Sequence, residues 1–582
     1  MKNKPIIYQL IPRLFTNLND HCIPNGSILQ NGSGKLNDIT PLVLKSIKEL
    51  GVTHVWYTGV IEHAHTADYT RYGIARNNPH IIKGKAGSPY AITDYYDIDP
   101  DIAVDVDRRM DEFEELVTRT HDAGMDVIID FVPNHVGRQY HSDVAPAGVD
   151  DLGAHDDTNL YFGRDNNFYY IPRQLFAPNI DLGTGKDAYI EFPAKATGND
   201  CFSAFPGEYD WYDTVKLNYG VDHGDGSQHF DPIPDTWFKM LHILRFWASK
   251  GVDGFRCDMV HMVPLEFWHW AINNVKESYP HVKFIAEIYD VSLYRPFLSF
   301  GGFDYLYDKV NLYDTLRGVQ CHNHSAATLT NCWQTVEGIA PHMLNFLENH
   351  DEQRFGSPQY AGDPAKVIPS LVVSSMISTG PMMIYMGQEI GEQGLDAEGY
   401  SGRDGRTTIF DYWSIETLRR WLKGLKDGES TLTGRELWLR KLYQTVLTAC
   451  NSERAIREGR FFDLMYVNYD NPSLNPHRQY VFMRSTAGET LVIAANFGSE
   501  SCDLRINIPD HAFDVLNLPQ GECVATDLLT GDTMRKHFSP TAPFETFVPP
   551  YDAVVWKVKH RNITDPDAKA APTRAMRARK KA

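Results

Sequence analysis

The chain has 582 residues, more than one compact core fills, so several domains or one large barrel with appended modules are expected. Hydrophobic residues make up 42% and charged residues 23%, which excludes a disordered or collagen-like chain. Its 75 acidic against 56 basic residues give a formal charge of −19, which repels nucleic acid and anionic membranes and leaves a neutral partner as the better fit.

Short apolar runs bounded by turn residues predict eight strands, over 6–10, 52–57, 126–131, 254–258, 283–287, 305–307, 343–347 and 382–385. Helical stripes alternate with them, the signature of βαβ units around a parallel sheet. One stripe is Met110, Phe113, Leu116, Val117 and Ala123, stopped by Gly124. Another is Trp237, Met240, Leu241, Leu244, Trp247 and Ala248, stopped by Gly251. The fold class expected is therefore α/β, a (β/α)8 barrel over 1–134 and 236–450.

Between the third and fourth strands, about a hundred residues rich in Asp, Asn, Gly and aromatics are too many for an ordinary connection. Residues 135–235 are read as an inserted domain that walls the face where barrel strands end. Alternating runs at 480–484, 491–497 and 553–558 predict an all-β C-terminal domain over 451–560. Residues 561–582, rich in Ala, Arg and Lys without apolar periodicity, read as a disordered tail, with a basic nucleic-acid arm as the alternative. Eight cysteines without metal-ligand spacing read as free thiols. The N-terminus lacks an apolar h-region, and no run approaches the ~18 apolar residues of a membrane span. A cytoplasmic location is expected.

The candidate chemistry lies at strand ends. In 126–135, period-two geometry puts Asp130, Val132 and Asn134 on one face. In 254–258 it puts Arg256 and Asp258 on one face and turns Phe255 and Cys257 toward the helices. An arginine beside a buried carboxylate favours its ionised form, the state a nucleophile needs. Glu287 ends the next strand, where apolar walls raise an acid's pKa and suit it to proton donation. The segment Phe346-Leu-Glu-Asn-His-Asp-Glu-Gln-Arg354 closes strand seven with His350 and Asp351. Each pattern alone has a structural reading, a satisfied carboxylate or an ion pair. Together, acids at the ends of strands four, five and seven converge on one mouth.

These segments, in this order, resemble the four motifs of the α-amylase family of glycoside hydrolases. The likeness continues through Gly380-Pro-Met-Met-Ile-Tyr-Met-Gly-Gln-Glu389 and covers roughly residues 5 to 558. It implies that Asp258 is the nucleophile, Glu287 the acid/base, and Asp351 the transition-state stabiliser, with Arg256 orienting the nucleophile. It also implies sugar contacts from His135, His350, Tyr90 and Asp94, to which His261 and Arg354 are added as candidates.

A calcium ion is implied at Asn134, with Asp213 offered as its partner from the insertion; no organic cofactor is implied. Thr214-Val-Lys-Leu-Asn218 resembles a further motif of neopullulanase-like members. His261 and Met262 depart from the Lys and His that many α-amylases carry after the nucleophile, a departure on the acceptor side of the site. The activity expected is retaining hydrolysis of α-1,4 bonds in α-glucans or maltooligosaccharides. A transglycosylase using the same site and a non-catalytic glucan-binding or accessory protein are the alternatives.

Overall fold

A computed structural model describes residues 3–559; the tail expected over 561–582 lies outside the described residues. Eight parallel strands close into a barrel: β1 (Ile6–Leu10), β2 (His54–Tyr57), β3 (Asp126–Phe131), β4 (Gly254–Cys257), β5 (Lys283–Ala286), β6 (Tyr305–Tyr307), β7 (Met343–Phe346) and β8 (Met382–Tyr385). Neighbours in the barrel follow chain order, and Ile6 opposite Met382 closes it. Short apolar strands of this kind need cover on their outer face. The stripes at 110–123 and 237–248 supply it from helices Arg109–Asp122 and Asp235–Ser249, whose Phe113 and Trp247 are fully buried and meet edge to face at 5.5 Å.

Strands β4, β5 and β7 stop one residue before the expected 258, 287 and 347. Asp258 and Glu287 are therefore the first residues past their ladders. Their backbone N–H groups are still held, by Phe131 O at 2.9 Å and Cys257 O at 3.0 Å. The chain then breaks sharply at Met259, whose φ of +44° lies in the left-handed region. Such a conformation costs a methionine about 1–2 kcal/mol. Trp268, fully buried, holds the turn by donating from Nε1 to Val260 O at 3.0 Å.

Two excursions rise over the C-terminal mouth. One, between β2 and the 109–122 helix, carries the pair Ile61–His63 and Ile92–Ile98, which periodicity did not predict. The other, between β3 and the 235–249 helix, has little regular structure. It pairs His135–Gly137 with Thr214–Lys216 and Tyr170–Ile171 with Ala194–Lys195, over a small apolar cluster that includes Phe176 and Tyr189. After helix Gly434–Ser452, six antiparallel strands and a further pair, Cys502–Ile506 with Phe544–Val548, form an all-β region. Arg484 fastens it to the barrel by donating to Ile377 O at 3.2 Å. The eight cysteines are unpaired. No helix of the described residues is long and apolar enough to cross a membrane.

Candidate active site

Arg256 stands on β4 directly opposite Asp130 of β3, with its guanidinium inside the barrel mouth and 1% exposed. A cation so buried must be surrounded by acceptors and polarisable rings. Nη1 donates to Asp258 Oδ1 at 2.7 Å and lies 3.5 Å from Asp130 Oδ1. Nη2 touches Glu287 Oε1 at 2.5 Å, an ion-pair contact without an aligned hydrogen bond. Rings of Trp56, Tyr90 and Tyr307 lie 5.3, 5.3 and 5.6 Å from the guanidinium carbon.

Environment separates the acids gathered here. Burial raises Glu287, against Arg256, which lowers it, and with Asp258, which raises it further. Its carboxyl also accepts from Tyr289 OH at 2.6 Å and from Met259 N at 2.9 Å, the second bond made possible by the left-handed turn. Asp351 is raised by desolvation at the cleft floor and then by repulsion from Glu287. Its side chain is 42% open to the cavity, so the carboxylate repulsion is the firmer of the two causes. Asp130 is buried, pushed up to about 7, and accepts from Trp56 Nε1 at 3.0 Å.

Burial holds His350 well below the ordinary histidine value. The Gln9 amide nitrogen stands 2.7 Å from its Nδ1, which leaves the proton on Nε2, facing Tyr90 OH at 2.6 Å and Asp351 Oδ2 at 3.1 Å. Burial also pushes His135 down to about 4, so both histidines are neutral hydrogen-bonding groups at neutral pH.

A cavity of about 360 Å³ opens over these groups, lined by Asp258, Glu287, Asp351, Tyr90, His135 and Asp213, among others. Walls come from far apart in sequence. Lys83 and Asp213 bridge two excursions at 3.0 Å, and Trp211 meets the His135 ring at 5.2 Å. Ile409 and Phe410 close one side. There Gly84, with φ +70°, lets the 83–88 segment approach so closely that any Cβ would collide with the Phe410 carbonyl.

The structure brings Asp258, Glu287, Asp351, Tyr90, His135, His350 and Arg256 together, places His261 at a neighbouring cavity, and corrects the readings of Asp94, Arg354 and the calcium pair. Asp94 is no sugar ligand: fully buried, it accepts from Tyr96 N, Ser142 Oγ and Asp143 N, each at 2.8 Å. Arg354 is fully buried, and its Nε and Nη1 are engaged while Nη2 has no partner. It donates to Thr407 Oγ1 at 2.8 Å, Glu348 Oε2 at 3.1 Å and Met386 O at 2.8 Å, away from the cavity. His261 lines a second cavity of about 380 Å³, with Lys216, His223 and Gln228, on the other side of Tyr289.

The calcium ligands do not fit a metal ion. Lys216 Nζ donates to Asn134 Oδ1, to Met262 O at 3.2 Å, and pairs with Asp200 Oδ1 at 2.6 Å. A buried ammonium thus holds the acceptors a cation would use, while Asp213 is turned to Lys83. Of the residues the sequence reading missed, only Tyr289 carried a signal, two positions beyond Glu287 at a strand end. Lys83, Trp211 and Phe410 sit in loops without periodicity.

Residues 9–409 match the family described as "Alpha amylase, catalytic domain". The alpha-amylase MalA of Haloarcula japonica is 24% identical over 84% of this chain and 54% of its own length. The alpha-1,4-glucan:maltose-1-phosphate maltosyltransferase of Cereibacter sphaeroides is 24% identical over 34% of this chain and 32% of its own. This chain spans about half the length, or less, of these curated relatives. The alpha-amylase of Geobacillus thermoleovorans, solved with acarbose, superposes with a TM-score of 0.62 at 19% identity, covering 97% of this chain and 100% of that one. At that identity the likeness is one of fold.

Two outcomes follow from the geometry. Tyr289→Phe removes a donor that favours ionised Glu287, so the Glu287 pKa rises. The alkaline limb of the pH–kcat/KM profile should move to higher pH, with activity near its optimum falling about tenfold; an unmoved limb would deny the coupling. Lys216→Met should cost about 1–2 kcal/mol by leaving the buried Asn134 Oδ1 without its donor, while exposed Asp200 turns to water, read as a lower Tm, whereas millimolar calcium should leave the wild-type Tm unchanged.

Proposed function

The chain belongs to the alpha-amylase family of glycoside hydrolases, and on that footing we propose that it hydrolyses α-1,4-glucosidic bonds in starch- or glycogen-derived glucans and maltooligosaccharides with retention of configuration. The observation that carries this reading is a single buried guanidinium touching both Asp258 and Glu287 on the wall of a cavity that Asp351 also lines. Retaining enzymes keep their two carboxyls close, about 5 Å apart, whereas inverting ones hold them ~6.5–9.5 Å apart to admit a water.

In the first step an Asp258 oxygen bonds to the anomeric carbon as the glycosidic C–O bond breaks. The leaving oxygen takes the proton of Glu287, whose raised pKa keeps that proton in place until it is needed. Positive charge grows on the sugar ring, which favours ionised Asp351 and gives it a reason to sit beside the reacting centre. In the second step Glu287, now a carboxylate, takes a proton from water. The oxygen of that water attacks the anomeric carbon and releases Asp258. Tyr90 offers a ring face to the sugar, and neutral His135 offers hydrogen bonds to its hydroxyls.

A second reading, transfer to a sugar hydroxyl instead of water, is favoured by the separate cavity at His261, where His261, His223 and Gln228 supply polar lining for an acceptor. A non-catalytic glucan-binding protein would have no use for the opposed pair Asp258 and Glu287 on one cation.

Asp258→Asn should cut the release of reducing ends from maltooligosaccharides by at least about a thousandfold; wild-type turnover in that variant would refute the assignment. Chromatography of early products from maltotriose separates the two catalytic readings. Glucose and maltose alone indicate hydrolysis, and oligosaccharides longer than maltotriose indicate transfer.

A further inference from the structure

Outside the cleft, His65, Asp99 and Asp101 form a second cluster of chemistry-bearing side chains, at most 4% exposed. His65 follows the strand Ile61–His63, and the two aspartates follow Ile92–Ile98. We propose that this cluster is a structural site for a first-row divalent cation, zinc foremost, that pins the excursion between β2 and β3 to the wall of the cleft.

A ring nitrogen of His65 and one oxygen from each aspartate lie within 4.8 Å of one another. Donors bound at ~2.0–2.4 Å to a common ion cannot lie farther apart than about 4.8 Å. His65 Nδ1 is buried and has no hydrogen-bond partner, a costly state for an imidazole that a bound cation would relieve.

The surroundings orient the carboxylates as outer-sphere groups orient metal ligands. Asp101 accepts from Tyr69 OH at 2.8 Å and from Tyr412 OH at 2.7 Å. Asp99 Oδ1 accepts from Asp101 N at 2.8 Å, and Oδ2 lies 2.8 Å from His63 Nδ1. Two cations stand close by, each bonded to an acceptor other than the two carboxylates: Lys35 Nζ donates to the backbone carbonyl of Asp101 at 2.6 Å, and Arg13 Nη1 to His63 Nε2 at 2.9 Å. One imidazole with two carboxylates suits zinc or manganese, whereas calcium prefers oxygen alone. The link to the cleft runs through Tyr412, and through Arg13, whose Nη2 donates to Ile409 O at 2.5 Å.

The test is equilibrium dialysis of the metal-stripped full chain against zinc chloride, with metal content and Tm read on wild type, His65→Gln and Asp101→Asn. The expected result is one tightly held zinc per wild-type chain, a Tm raised by several degrees, and loss of both in the variants. A wild type that holds no more zinc than His65→Gln, or whose Tm ignores zinc, overturns the site and assigns the gap to water. Asp101→Asn checks the same loss if His65→Gln folds poorly.

Discussion

Everything at the mouth of the barrel depends on one buried charge. The Arg256 guanidinium has no solvent to fall back on, and an uncompensated ion at such depth costs several kcal/mol. The chain answers with Asp258, Glu287 and Asp130 at its nitrogens and three aromatic rings around it. Strand register alone puts Arg256 beside Asp130 and Ile285, so the barrel ladder and the reactive site share one constraint.

That shared cation does not make its partners equivalent. Asp258 takes an aligned hydrogen bond, whereas Glu287 takes an off-line contact and meets its other needs from Tyr289 and Met259. The strained turn at Met259 is the local cost of aiming a backbone N–H at an acid that must hold and release a proton. Neutral His350 and His135 add hydrogen bonds without adding charge, which keeps the balance among the acids intact.

The barrel and its central acids were legible in the sequence because strand periodicity settles which side a residue faces, and Arg256 with Asp258 obeys it. Beyond the strands, periodicity loses that power. Asp94 sits in a strand buried on both faces, so alternation could not show that backbone N–H groups consume its carboxylate. Arg354 lies past β7 in a loop whose direction no pattern encodes. Lys216 was visible inside Thr214-Val-Lys-Leu-Asn218, but that its ammonium would occupy the acceptors of Asn134 and Asp200 depends on contacts between segments 82 and 16 residues apart in the chain. The walls of the cleft have the same character: the Lys83–Asp213 bridge and the approach of Gly84 to Phe410 join loops that meet only after folding.

The most direct measurement is to trap the covalent step. Glu287→Gln, incubated with an α-maltotriosyl fluoride, needs no proton for departure of fluoride but lacks the base that frees the enzyme. The protein should gain the mass of one maltotriosyl group, and peptide mapping by mass spectrometry should place it on Asp258. An adduct on another carboxylate, or fluoride release that yields β-anomeric maltotriose without any adduct, would contradict a double displacement organised by Arg256.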